Sequence, residues 1–136
     1  MLEEFLGQDE VAPLLAIDFI DCKIDQDEMV GGKEVAAALR DGKDGGIPWF
    51  IFLDPSKPIF VRNSETGLLK RREAAILATA DASNGNVGCP MTLDERTHFL
   101  ACLASSRKGL TDDQLLKIAE LQRQFCSSRG KEYGKE

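Results

Sequence analysis

The 136-residue sequence holds little from which to build a redox pair, a metal centre or a membrane span. Its four cysteines, Cys22, Cys89, Cys102 and Cys126, are separated by 67, 13 and 24 positions, so there is no CxxC and dithiol exchange by a local pair is excluded. Histidine occurs once, at His98. With Cys102 four residues later on the same helix face it makes at most half a zinc site, and Cys89, Cys126 or an acidic residue would have to complete it by folding. A helix-surface histidine beside a semi-buried cysteine is the simpler reading, and no metal or cofactor is expected. The longest apolar run, residues 47–53, is interrupted by Pro48 and falls far short of the roughly 18 residues of a membrane span. Positive charge is scarce as well, with 17 Lys plus Arg against 23 Asp plus Glu and a net charge of -6. Lys70-Arg71-Arg72 and Arg107-Lys108 are too short and too far apart for a nucleic-acid footprint and read as solvated helix faces. The first residues, Met1 to Leu6, carry neither a basic region nor the long apolar stretch of an export signal, which makes the cytoplasm the expected location.

What is present is enough for one domain. A chain of this length buries roughly two thirds of its unfolded surface, so a core forms without disulfide or metal staples. Leu2, Phe5 and Leu6 have helical spacing and Gly7 follows as a stop. A second short helix starts after Asp9-Glu10, with Pro13 tolerable in its first turn. Residues 17–24, with Phe19, Ile20, Cys22 and Ile24, have strand propensity and a mostly buried profile. Lys33 to Arg40 is predicted helical, and Trp49 to Leu53 is a strongly apolar strand at the centre of the core. Asp54-Pro55-Ser56-Lys57 makes a turn, so Ile59 to Arg62 is expected to return against it as a hairpin. Leu68 to about Ala82 is helical by composition. Thr92 with Glu95 and Thr111 with Gln114 are capping boxes that start two further helices, and residues 127–136 form a frayed tail behind a single domain of residues 1–126.

Most chemistry-bearing patterns dissolve on inspection. Asp25, Asp27 and Glu28 cluster in an acidic loop with no base or nucleophile nearby, which suits solvation better than acid/base catalysis. The run Asp41 to Gly46 puts Lys43 and Gly45 where a calcium loop needs ligands, and Phe52 where it needs a bidentate Glu. It also lacks the frame of a phosphate loop. Cys22, Cys102 and Cys126 fall in predicted strand or helix, where small apolar packing is their role. Cys89 lies in the loop Gly88-Cys89-Pro90 and is the candidate reactive thiol, although no cationic neighbour in sequence lowers its pKa.

The stretch Asp41-Gly42-Lys43-Asp44-Gly45-Gly46-Ile47-Pro48-Trp49-Phe50-Ile51-Phe52-Leu53-Asp54-Pro55 resembles the thioredoxin-like families at their Gly-Ile-Pro-strand-Asp element. Residues 10–25 resemble the helix end, strand and acidic exit that precede it, and Asn86-Val87-Gly88 with the helix after Thr92 resembles the part that follows, so the likeness covers about residues 2–105. It implies a partial thioredoxin-like α/β fold, a small mixed sheet of about three strands packed by helices, with a C-terminal helical extension. Pro48 would be cis and structural. The first strand or strands and the dithiol motif of those families would lie before residue 1, so the chain reads as a truncated, non-catalytic variant.

That resemblance places a missing central strand between residues 19–24 and residues 49–53. A gap there leaves backbone groups unpaired at about 1–3 kcal/mol each if buried. Either the two strands close up in parallel, or a second copy supplies the pairing. A homodimer that completes or covers the sheet is the favoured expectation, and self-association or protein binding the expected function. The alternatives are single-cysteine thiol chemistry at Cys89, and binding of a peptide or small molecule beside Pro48 and Trp49. Neither a nucleic acid nor a membrane is an expected partner.

Overall fold

In the computed structural model, residues 2–43, 46, 48–82, 85–87 and 90–129 are described. Its best-built parts are the two long helices, α4 (Leu93–Ser106) and α5 (Asp112–Ser128), each started by its own side chains. Thr92 accepts the Glu95 N–H at 3.2 Å while Glu95 Oε1 accepts the Thr92 N–H at 3.0 Å. Thr111 and Gln114 repeat the exchange at 3.1 and 2.9 Å, so both N-termini have two otherwise orphaned donors satisfied. Asp18 then fixes the connection between the helices, its carboxylate accepting the N–H groups of Lys108, Gly109 and Leu110 at 2.8, 2.7 and 2.9 Å. α1 (Leu2–Leu6) lays Leu2 and Phe5 into a core made with Val11, Phe99, Leu103, Leu110, Leu115, Ile118, Leu121 and Phe125. The Phe5 and Phe125 rings meet at 5.6 Å. α2 (Ala12–Leu15) carries Pro13 in its first turn, where a missing N–H costs nothing.

α3 (Gly32–Leu39) begins at a close backbone approach. A Cβ on Gly32 would collide with the Asp25 carbonyl oxygen, so only glycine fits beneath that turn. Beyond α3 the chain forms short antiparallel ribbons. β1 (Ile51–Leu53) pairs with β4 (Ile76–Thr79) through Ile51–Thr79 and Phe52–Ala78, with a bulge before Leu53–Ile76. β2 (Phe60–Arg62) pairs with β3 (Leu69–Arg71), and β5 (Asp81–Ala82) with β6 (Gly85–Asn86). A 3-10 turn, Glu73–Ala75, leads into β4. α4 crosses the β1–β4 ribbon, with Phe99 edge-on to Phe50 at 5.4 Å and near Phe52 at 6.5 Å.

The architecture is mixed α/β, with five α-helices and three two-stranded antiparallel pairs among the described residues. Several expectations are corrected. One mixed sheet of about three strands is replaced by these separate ribbons. Residues 19–24 form no strand: Ile20 to Ile24 are exposed and make no backbone hydrogen bond with a described residue, and Cys22 is exposed instead of packed. Trp49 to Leu53 does not pair with Ile59 to Arg62. The turn at Asp54 forms, with the Ser56 N–H on Asp54 Oδ1 at 2.9 Å, but the hairpin closes one turn later. There Asn63 Oδ1 accepts the Glu65 and Thr66 N–H groups and Gly67 takes φ 72°. The expected helix from Leu68 to Ala82 is β3, the 3-10 turn, β4 and β5, because strands β2 and β1 offer its backbone ladder partners. α5 continues to Ser128, into the expected tail, and residues 130–136 lie outside the described residues.

Candidate functional site

Of the three sequence-predicted site residues, the fold brings Pro48 and Trp49 into a polar cluster, and Cys89 lies outside the described residues. Pro48 is exposed and Trp49 is half-buried. The indole N–H of Trp49 donates to Asp81 Oδ1 at 3.1 Å, which pins the ring to β5. Over the ring, 5.2 Å from its centre, lies the guanidinium of Arg40. Asn86 on β6 donates from Nδ2 to the Gly46 carbonyl at 2.8 Å and the Pro48 carbonyl at 3.2 Å, strapping the chain before β1 to the β5–β6 ribbon.

Arg40 is 8% exposed, and its Nη1 donates a long hydrogen bond to the Gly46 carbonyl at 3.3 Å. Its Nε is buried with no hydrogen-bond partner among the described residues. Arg40 is the C-cap residue of α3, and Arg71 donates to the Leu39 carbonyl at 2.7 Å, which places the Arg71 guanidinium at the negative end of that helix. Sequence reasoning missed Arg40, Asp81 and Asn86. A basic residue closing a predicted helix was the one available signal for Arg40. The cluster stacks, donates and orients, and among the described residues it holds no nucleophile beside a base.

His98 and Cys102 share a face of α4, as expected, and both converge on one acceptor. His98 Nε2 lies 2.9 Å from the Thr79 carbonyl oxygen and Cys102 Sγ 3.5 Å from it, so the pair fastens α4 to β4. Burial pushes the Cys102 thiol up to about 11, which keeps it protonated and unreactive near neutral pH. Cys126 is buried against the Pro90 carbonyl. No group of three or more potential metal ligands occurs among the described residues.

A third feature is an open strand edge. Ala80 N–H bonds to the Phe50 carbonyl and Asp54 N–H to the Ala75 carbonyl, both at 2.9 Å, so Phe50, Phe52 and Asp54 direct their backbone groups at β4. Antiparallel alternation then points the N–H and C=O groups of Ile51 and Leu53 the other way. Among the described residues β1 has β4 as its one strand partner, so this outer edge faces no second strand. Phe19, whose ring contacts Phe52 at 5.3 Å, leads from this region into the bare segment 20–24. Around that segment Ile17, Ile20, Ile24, Met29 and Val30 are 47, 91, 40, 49 and 105% exposed.

Between α4 and α5 a shallow groove of about 300 Å³ is lined by Leu93, Leu100, Leu116 and Ala119 with Arg96, Glu120 and Arg123 around it. Among the described residues no helix is long and apolar enough to cross a membrane. No protein-family model, no curated protein and no solved structure matches the chain.

Proposed function

We propose that this chain is a self-associating domain of thioredoxin-like type that works through protein contact and not through dithiol chemistry. The observation that carries the reading is the exposed apolar stretch around residues 17–30, with a β1 edge that faces no second strand among the described residues. A surface of that composition is stable in water when another protein covers it. The Gly-Ile-Pro-strand-Asp order of residues 46–54, with β1 beginning at Ile51, three residues after Pro48, supports the thioredoxin-like part. The spacing of the four cysteines supports the non-dithiol part.

Sedimentation equilibrium at micromolar concentration tests it. The expected result is a dimer in reversible exchange with monomer. A single monomeric species across the concentration range refutes self-association.

A further inference from the structure

Resting on the self-association reading, we infer that a second copy of this chain closes the β1 edge by reciprocal strand addition, residues 20–24 of each copy lying along Ile51–Leu53 of the other. Each chain carries both halves of the contact. Ile51 and Leu53 lie on the edge of β1 that faces no second strand among the described residues, and residues 20–24 are five successive residues with no backbone hydrogen bond to a described residue. A two-fold pair of copies satisfies both at once and leaves neither open, which is how a closed symmetric dimer forms from a self-complementary surface.

Pairing within one chain is held off by the ties at either end of the segment. At one end the Phe19 N–H is bonded to the Leu15 carbonyl at 2.9 Å, and Asp18 is fixed on residues 108–110. At the other, Asp25 Oδ1 accepts the Asp27 and Glu28 N–H groups at 2.9 and 3.0 Å, and its carbonyl accepts the Met29 N–H and sits against Gly32. Contact between copies breaks none of these.

The area is sufficient. At about 100 Å² per fully buried aliphatic side chain, covering Ile17, Ile20, Ile24, Met29 and Val30 removes about 300 Å² of apolar surface from each chain. The facing surface of the partner loses a comparable area. The two reciprocal contacts therefore bury about 1,200 Å², the lower end of what stable complexes bury, which fits a micromolar dimer.

The test compares the full chain with Leu53→Pro, Ile20→Lys and Ile51→Cys variants. The Leu53 N–H points away from β4, so proline there removes an outward donor and leaves the β1–β4 ladder intact. The expected results are a dimer for the unaltered chain, a dissociation constant raised at least tenfold by Leu53→Pro and by Ile20→Lys, and unchanged far-ultraviolet circular dichroism. Ile51→Cys should form an intermolecular disulfide with the native Cys22 on mild oxidation, because neighbouring strands hold such pairs within disulfide reach. Cys22→Ser abolishes that disulfide. A monomeric unaltered chain overturns both this inference and the self-association reading. A dimer undiminished by Ile20→Lys, with no Ile51→Cys to Cys22 disulfide, overturns strand addition alone, and does so even if Leu53→Pro fails to fold.

Discussion

Replacing Phe99 by alanine tests how the β1–β4 ribbon is held to the helices. Phe99 is 3% exposed and stands edge-on to Phe50 at 5.4 Å and 89°, with Phe52 at 6.5 Å and 60°. Truncating a buried Phe to Ala costs about 3–5 kcal/mol, of which the two lost edge-to-face contacts supply about 0.5–1.5 kcal/mol each. The ribbon is short and its far edge is open, so we place Phe99→Ala near 4 kcal/mol, a large share of the roughly 5–15 kcal/mol that holds a typical domain together. For a chain of this size that lowers Tm by about 12–20 °C. Urea denaturation followed by Trp49 fluorescence reads it directly, because Trp49 adjoins Phe50 at the start of the ribbon. Phe99→Leu, which retains most of the volume, is expected to cost less than about 1.5 kcal/mol. A Phe99→Ala loss below about 2 kcal/mol, or equal losses for the two variants, would refute the claim that this ring pins the ribbon.

Thr92→Ala and Thr111→Ala should each cost about 1 kcal/mol, and the double variant their sum within about 0.5 kcal/mol, in the same urea assay. Strong coupling between them would show that the helices do not start independently. Desolvation pulls the Asp18 carboxyl pKa upward, but the N–H groups of Leu110, Gly109 and Lys108 and the Lys108 charge outweigh it and hold the group below its ordinary 3.8. The stability it contributes is therefore complete above about pH 4 and lost as pH falls through the folded-state value. Thermal melts between pH 2 and 7 should show Asp18→Asn less stable than the unaltered chain near neutrality and the difference closing in acid; a difference independent of pH speaks against the carboxylate anchor. In a Cys89→Ser background, a disulfide reagent at neutral pH should label Cys22 at once and Cys102 and Cys126 only in denaturant. Fast labelling of Cys102 in the native protein contradicts its raised pKa.

What could be read from the sequence was local. The two capping boxes, Thr92 with Glu95 and Thr111 with Gln114, span three residues each, and the hydrogen bonds form as the pattern specifies. α1, α3 and the apolar stripes of α4 and α5 were legible for the same reason. Leu68 to Ala82 was not, because Ala74, Ala75, Ala78 and Ala80 give it helical composition while its conformation is decided by ladder partners at Ile51–Leu53 and Phe60–Arg62. The polar cluster was only half legible. Trp49 stood out as the sole tryptophan, but Asp81 reaches it from 32 residues away, and Arg40 and Asn86 arrive on other elements. Asp18 is bonded to groups 90 to 92 residues distant, a contact that no spacing rule anticipates.

Residues 19–24 show where a propensity argument stops. Phe19, Ile20, Cys22 and Ile24 favour a pleated, half-buried surface, yet that preference is expressed only when a neighbour supplies the ladder and a face to pack on. In the single chain the Phe19 ring meets Phe52, while the next five residues are exposed and make no backbone hydrogen bond with a described residue. These five residues form no strand in the single chain; in the proposed dimer they become one, because a partner then lies along them. Strand propensity without a partner, next to a strand with an open edge, is the condition under which pairing between chains relieves two deficits with one contact. Binding at β1 and ordering of residues 20–24 should then be a single event: amide hydrogen exchange in 20–24 should slow with protein concentration in step with dimer formation, while exchange in α4 and α5 stays constant. Protection of 20–24 that ignores concentration would mean that the segment finds its partner within its own chain.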